Sequence, residues 1–135
     1  MLMRNNQPAF SLVELLLVLA IVSVMLALAV PTWRQHQLTA GRQQAWLQLQ
    51  DLALQQQMWH LQQGRYFADL DAVKPTLDQR RYRYQVNLTE TGFSLSATIN
   101  ANGPQAHDTL CWQLTLADTG EVKSLGKGGE IQACR

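Results

Sequence analysis

The chain of 135 residues has few of the residues on which metal sites and catalytic sites depend. Its histidines, His36, His60 and His107, and its two cysteines, Cys111 and Cys134, do not fall at the spacing of metal ligands. No G-x-S-x-G or H-E-x-x-H motif occurs either. We therefore expect no metal, no cofactor and no enzymatic activity.

The chain also lacks an excess of charge of either sign. The 11 Lys and Arg residues against 10 Asp and Glu give a formal net charge of +1 at pH 7. There is therefore no chain-wide attraction to nucleic acid. A local basic cluster, Arg80, Arg81 and Arg83, could meet phosphates, acidic surfaces or water. The favoured interpretation is a solvated strand edge that its charges protect from aggregation, with DNA as the less favoured partner.

A long apolar run near the N-terminus is the strongest feature of the sequence. Residues 10–30 are enough for roughly 30 Å of helix, and Glu14 is the only charged residue among them. An unpaired ionisable group within a membrane span costs roughly 2.5–3.5 kcal/mol. Three interpretations follow: a secretory signal cleaved after Ala29, a plain single-pass anchor, or a helix cut between Ala9 and Phe10. Such a cut would place a new α-amine one helical turn from Glu14.

The stretch FSLVELLLVLAIVSVMLALAVP resembles the N-terminus of type IV prepilins. In that family a membrane peptidase cuts before the Phe and N-methylates it, and the mature helix has Glu as its fifth residue and often Pro as its twenty-second. These residues are Phe10, Glu14 and Pro31 here, and Ala9 stands where the family usually has Gly. The resemblance implies that Glu14 pairs with the terminal amine of a neighbouring subunit during filament assembly. The alternative is a self-paired Glu14 in an inert anchor.

Helical periodicity continues beyond the apolar run. Pro31 predicts a kink or an interruption, and Gly64 predicts the end of the helix. Apolar residues form two opposed stripes, one of Leu38, Ala45, Leu49, Leu52 and Trp59, and the other of Ala40, Leu47, Leu54, Met58 and Leu61. We expect one stripe to contact the sheet and the other to contact a partner outside the chain. The alternative is a helix covered on both sides by its own domain.

The hydrophobic period changes to two after Gly64. The segments RYRYQVNL, FSLSATIN and TLCWQLTL, with residues 121–125, predict four antiparallel strands that follow an irregular loop over residues 65–79. Alternation directs Arg81 and Arg83 away from the apolar face. Cys111 falls on the third predicted strand, and a disulfide with Cys134 would contribute about 3 kcal/mol in the chain-entropy model.

Together with these patterns, the resemblance implies an α+β fold of the type IV pilin kind. A long N-terminal helix packs on a four-stranded antiparallel sheet, and a disulfide closes the C-terminal region. The expected organisation is a leader peptide over residues 1–9, a transmembrane and filament-core helix over 10–30, a continuation of the helix over 31–64, and a sheet domain over 65–135.

The resemblance also implies a structural subunit of a type IV pilus. A minor pilin that supports pilus biogenesis, in adhesion, twitching motility or DNA uptake, is preferred. A major pilin, a type II secretion pseudopilin and a membrane-anchored periplasmic domain of unknown role are the alternatives. Expected partners are other pilin subunits, the prepilin peptidase, the inner-membrane pilus assembly machinery and the membrane. The expected location is the inner membrane, as a single-pass protein with its C-terminal domain in the periplasm, and the extracellular pilus after assembly.

Overall fold

The computed structural model describes residues 11–71 and 77–134, so the predicted leader and the junction between Ala9 and Phe10 lie outside the described residues. The described elements are one helix and four strands: α1 (Leu12–Gln63), β1 (Tyr82–Leu88), β2 (Phe93–Ile99), β3 (Gln113–Ala117) and β4 (Val122–Leu125). The chain divides into two compact units, with the boundary between His36 and Gln37.

The first unit contains the N-terminal part of α1. Its side chains from Ser11 to His36 are all exposed, and Glu14 is the acidic residue of the first turn. This part of the helix is long and apolar enough to cross a membrane. Because an apolar surface of this size is unfavourable in water, it requires lipid or other apolar helices around it.

The helix α1 continues through Pro31 without a break. The predicted interruption is therefore wrong, whereas the predicted kink stays a prediction. Proline has no N–H, so the carbonyl of Ala27 loses its usual backbone donor. In the next position the Thr32 hydroxyl donates to the Leu28 carbonyl at 3.2 Å.

The second unit buries one face of its part of α1. The buried helix residues recur every three or four positions, as one helical face requires: Gly41, Ala45, Leu49, Leu52 and Gln56. The second predicted stripe is open, since Leu47, Leu54, Met58 and Leu61 are 52–85% exposed. Of the first predicted stripe, Ala45, Leu49 and Leu52 are buried, whereas Leu38 is half-buried and Trp59 is 39% exposed. A helix covered on both sides by its own domain is wrong. A partner for the open stripe stays a prediction.

The four strands form one antiparallel sheet in the order β1-β2-β3-β4. Its inner face packs on Ala45, Leu49 and Leu52 of the helix and consists of Tyr82, Tyr84, Phe93, Leu95, Ala97, Ile99, Leu114 and Leu116. This is the alternation that the sequence predicts for β1 and β2. Gly64 ends the helix with a positive φ of 70°, and its N–H donates to the His60 carbonyl at 2.8 Å.

The third strand begins at Gln113, later than the segment TLCWQLTL predicts. Cys111 therefore precedes β3, and the prediction that it lies on the strand is wrong. The reason is that the N–H of Cys111 donates to the Asp108 carboxylate at 3.3 Å instead of to a strand partner, while Leu110 is exposed. The predicted disulfide between Cys111 and Cys134 is confirmed, and the indole of Trp46 donates to the Cys134 carbonyl at 2.8 Å.

The loop after the helix is irregular over residues 64–71 and 77–81, as predicted. Gln56, which is fully buried, holds its first part. The side-chain amide donates to the Phe67 carbonyl at 2.7 Å and accepts from the Phe67 N–H at 3.0 Å. The helix, the sheet and the disulfide together confirm the predicted α+β fold with a disulfide-closed C-terminal region.

Candidate nucleic-acid interface

The outer face of the β1–β2 hairpin is polar, and we call it the hairpin face. Alternation in β1 turns Arg83, Gln85 and Asn87 away from the core, and all three are exposed. The strand register places Thr98 opposite Arg83, Ser96 opposite Gln85 and Ser94 opposite Asn87. The hairpin face therefore consists of Arg83, Gln85, Asn87, Ser94, Ser96 and Thr98.

The rest of the outer face, on β3 and β4, is a mixture of polar and apolar residues. The register adds Gln113, Thr115 and Ala117 from β3 and Lys123 and Leu125 from β4. None of the outward-facing residues of these four described strands is acidic. Lys123 forms an ion pair with Glu121, just before β4, at 3.1 Å. An anion that approaches this face over β1 and β2 consequently meets no like charge there.

The three predicted arginines have different surroundings. Arg83 has no hydrogen-bond or ion-pair partner among residues 11–71 and 77–134. Arg80 is exposed and forms an ion pair with Asp78 at 3.1 Å, and its hydrogen bond keeps the pKa of Asp78 below the usual value. Solvated pairs of this kind contribute little, typically about 0–1 kcal/mol. Within the described ranges Arg83 is therefore the cation of the cluster without a partner, and the ion pair of Arg80 with Asp78 is weak.

Arg81 differs from the sequence prediction. Alternation directed it to solvent beside Arg83, but its guanidinium donates from Nη1 to Gln105 Oε1 at 3.0 Å and from Nη2 to Gln37 Oε1 at 3.4 Å. The physical reason is that β1 begins at Tyr82, so Arg81 lies before the strand and its long side chain reaches the neighbouring loop. Arg81 is half-buried and held in position.

Gln105 fixes the position of Arg81 from within the protein. It is fully buried, and its Nε2 donates to the Leu38 carbonyl at 2.8 Å and to Asp108 Oδ2 at 3.0 Å. With both amide hydrogens used, Oε1 is left to accept from Arg81. Gly41 provides the space, because a Cβ there would lie 2.2 Å from Gln105 Oε1. The amide is therefore oriented by the helix and by Asp108.

Asp108, which is buried, and Arg42, which is half-buried, form an ion pair beneath this amide. Arg42 donates through Nε at 2.7 Å and through Nη2 at 2.8 Å, and only 1% of the Asp108 side chain is exposed. Burial acts to raise the pKa of Asp108, but the hydrogen bonds from Arg42 and Gln105 outweigh it, and the pKa lies below the usual value. The same hydrogen bond raises the pKa of Arg42. Sequence analysis found none of Arg42, Gln105 and Asp108, since no local motif marks them.

A concave surface lies at the C-terminal end of α1. It is an open groove of about 910 Å³ whose lining includes the rings of Trp59, Tyr66 and Phe67. Its charged residues are Arg65 and two carboxylates, Asp69 and Glu90. Because the carboxylates outnumber the cation, the groove is less suited to a polyanion than the hairpin face is.

The described residues contain no group of three His, Cys, Asp or Glu side chains that could hold a metal ion. Tyr82 and Tyr84 lie in the core under the hairpin face. Their rings therefore cannot stack on bases. Recognition of a nucleic acid at this face would depend on cations, amides and hydroxyls.

Two family models match the chain. The model described as "Prokaryotic N-terminal methylation motif" matches residues 4–30, and the model described as "Type IV minor pilin ComP, DNA uptake sequence receptor" matches residues 31–115. No curated protein matches the chain. The first match confirms the resemblance to prepilins, and the second confirms the preference for a minor pilin. Since the second match covers more than half of the chain, the protein belongs to the type IV minor pilin family of ComP, the DNA uptake sequence receptor.

Proposed function

We propose that this minor pilin binds double-stranded DNA, with the hairpin face toward the duplex and Arg80 and Arg83 as phosphate contacts. The observation that supports it most is Arg83, an exposed cation without a partner in the described residues, on a face that carries no carboxylate. The family description names a DNA receptor and points to the same partner. In this proposal Arg80 and Arg83, for which the sequence favours a solvated strand edge, are binding residues.

The surroundings of the arginines support this role. A phosphate can replace Asp78 as the partner of Arg80 at little cost, because the pair is solvated. Arg81 is held by Gln105, so it contributes positive potential next to Arg83 from a fixed position. Few phosphate contacts are involved, so we expect weak binding with a shallow dependence on salt.

The test measures the affinity of the detergent-solubilised full-length protein for a fluorescent duplex at several salt concentrations. For Arg83→Ala we expect weaker binding and a salt slope smaller in magnitude by about 0.9, the value for one lost phosphate contact. Arg65→Ala is the matched control, since it removes an exposed arginine from the groove that contains Asp69 and Glu90. Equal effects of the two variants, or no effect of Arg83→Ala, would contradict the assignment to the hairpin face.

We propose further that the chain is processed between Ala9 and Phe10 and that Phe10 is N-methylated. The match of residues 4–30 to the methylation motif supports this proposal. Glu14 then lies close to the new terminus, and Pro31 is the site of a kink within α1. Intact-mass analysis of the protein from cells should show the loss of residues 1–9 and the addition of one methyl group. A mass that corresponds to cleavage after Ala29 would contradict this processing.

The proposed location follows from the span and the disulfide. Before assembly the protein lies in the inner membrane with residues 37–135 in the periplasm, and after assembly it is part of the extracellular pilus. A disulfide is stable in such oxidising compartments, which supports this orientation. The proposed partners are the prepilin peptidase, the pilus assembly machinery and other pilin subunits. The other subunits would contact the open stripe of α1. The role is structural, without catalysis.

A further inference from the structure

We infer that the hairpin face reads base edges in the major groove of duplex DNA, with Arg83, Gln85 and Asn87 as the specificity-determining residues. This inference rests on the proposed binding of duplex DNA and adds the groove, the residues and the kind of bases. Phosphate contacts alone hold a protein on DNA without sequence preference, so a sequence-specific receptor needs side chains that reach the bases.

The spacing of these side chains matches that of base pairs. Alternate residues of an antiparallel strand lie about 6.8 Å apart, and base pairs rise by about 3.4 Å. Arg83, Gln85 and Asn87 follow one another at alternate positions on one face of β1. When β1 runs along the groove, each of the three side chains can therefore reach one base pair, and these base pairs lie two steps apart.

The chemistry of the three side chains suits base edges in the major groove. Arginine pairs with O6 and N7 of guanine, and glutamine and asparagine pair with N6 and N7 of adenine. Neither Gln85 nor Asn87 has a hydrogen-bond partner for its side-chain amide in the described parts of the chain. The amides are exposed, so their donors and acceptors are free to meet a base without breaking an internal hydrogen bond.

The position of β1 in the sheet makes the approach feasible. β1 is an edge strand of the four-stranded sheet, so it can approach the major groove, which is about 12 Å wide, with the other three strands all on one side of it. Beside β1, the hairpin face carries only the short side chains Ser94, Ser96 and Thr98, which do not keep the longer side chains of β1 away from the bases. The absence of carboxylates on the outward-facing side of the four described strands removes the main electrostatic obstacle.

The experiment selects duplexes with a randomised 12-base-pair centre on the full-length protein in detergent. The wild type should enrich a motif in which guanine and adenine lie two base pairs apart. For the variant Gln85→Ala/Asn87→Ala we expect the preference for this motif over a shuffled duplex to fall by about tenfold or more, while the salt slope stays unchanged. The matched control, Gln50→Ala/Asn102→Ala, removes two exposed amides elsewhere and should keep the preference.

A second measurement identifies the groove. Replacing the adenines of the selected motif by 7-deazaadenine removes the N7 acceptor, which lies in the major groove. The wild type should then bind about as weakly as the double variant, and the double variant should be insensitive to the replacement. Melting of both variants at the wild-type temperature verifies that they are folded.

The results separate this inference from the proposed function. If the wild type binds duplexes but selects no motif, or if the double variant selects the same motif with the same preference, the inference is wrong and DNA binding stands. An effect of Gln85→Ala/Asn87→Ala without any effect of 7-deazaadenine would also overturn it, because the bases would then be read elsewhere. If the wild type binds no duplex, the proposed function and the inference fail together.

Discussion

Glu14→Ala is expected to remove this minor pilin from filaments while leaving it in the membrane. Glu14 lies in the first turn of α1 on an apolar, exposed helix, where removal of the charge makes insertion easier. If Glu14 pairs with the terminal amine of another subunit, its loss leaves an unpaired charge in an apolar surrounding, which costs roughly 3–5 kcal/mol. We therefore expect the ratio of protein in sheared filaments to protein in the inner membrane to fall by about tenfold or more.

Two further variants identify what Glu14 contributes. Glu14→Gln keeps the size and an acceptor but cannot neutralise an ammonium group, so we expect it to be nearly as defective as Glu14→Ala. Ser23→Ala, which removes a neutral hydroxyl from the same helix, is the control and should leave the ratio unchanged. An unchanged ratio for both Glu14 variants would contradict an assembly role, whereas tolerance of Gln alone would replace the ion pair by a neutral hydrogen bond.

Asp108→Ala is expected to destabilise the second unit by about 3–5 kcal/mol. It leaves the half-buried guanidinium of Arg42 without its partner and removes the acceptor of the Gln105 amide and the Cys111 N–H. We expect a clear decrease in the melting temperature of the full-length protein in detergent. Asp51→Ala, which removes an exposed carboxylate from the same unit, should change the free energy of unfolding by no more than about 0.5 kcal/mol.

A double variant tests the physical reason for this loss. Arg42→Ala/Asp108→Ala should be more stable than the sum of the single changes predicts, because it leaves no unpaired buried charge. Additive effects would mean that the two residues do not act as a pair. The pKa of Asp108 is lowered in the folded protein. The ion pair therefore makes its full contribution to the free energy of unfolding above the pKa of Asp108 in the unfolded state, about 3.9. This contribution is lost as the pH falls through the lower pKa of Asp108 in the folded state.

Local patterns in the sequence predict most of this fold. Apolar residues at every second position predict that Tyr82, Tyr84 and Phe93 lie on the inner face of the sheet. Apolar residues at helical spacing distinguish the buried stripe of α1 from the open one. The contacts around Gln105 could not be predicted in this way. Arg42 and Asp108 are 66 residues apart in the chain, and Leu38 and Gln105 are 67 apart. Periodicity reports on neighbours within an element and contains no information about such distant partners.

A second limit, the residue at which a strand begins, explains the errors at Arg81 and Cys111. Strict alternation assumes that a strand extends over the whole apolar segment, yet both residues lie just before the strand that was predicted to include them. The guanidinium of Arg81 donates to Gln105, 24 residues later, and the N–H of Cys111 donates to Asp108, three residues earlier. Arg83, which lies within β1, was predicted correctly as a residue of the outer face.

The glycine in the middle of the helix has a consequence for the evolution of this family. A side chain at Gly41 would occupy the place of the Gln105 Oε1 atom, which lies 2.2 Å from the position of a Cβ. Substitutions at Gly41 are therefore not independent of substitutions at Gln105. A homologue that acquires alanine or a larger residue at the position of Gly41 must also have lost or moved the amide at the position of Gln105, so we expect the two positions to co-vary across species.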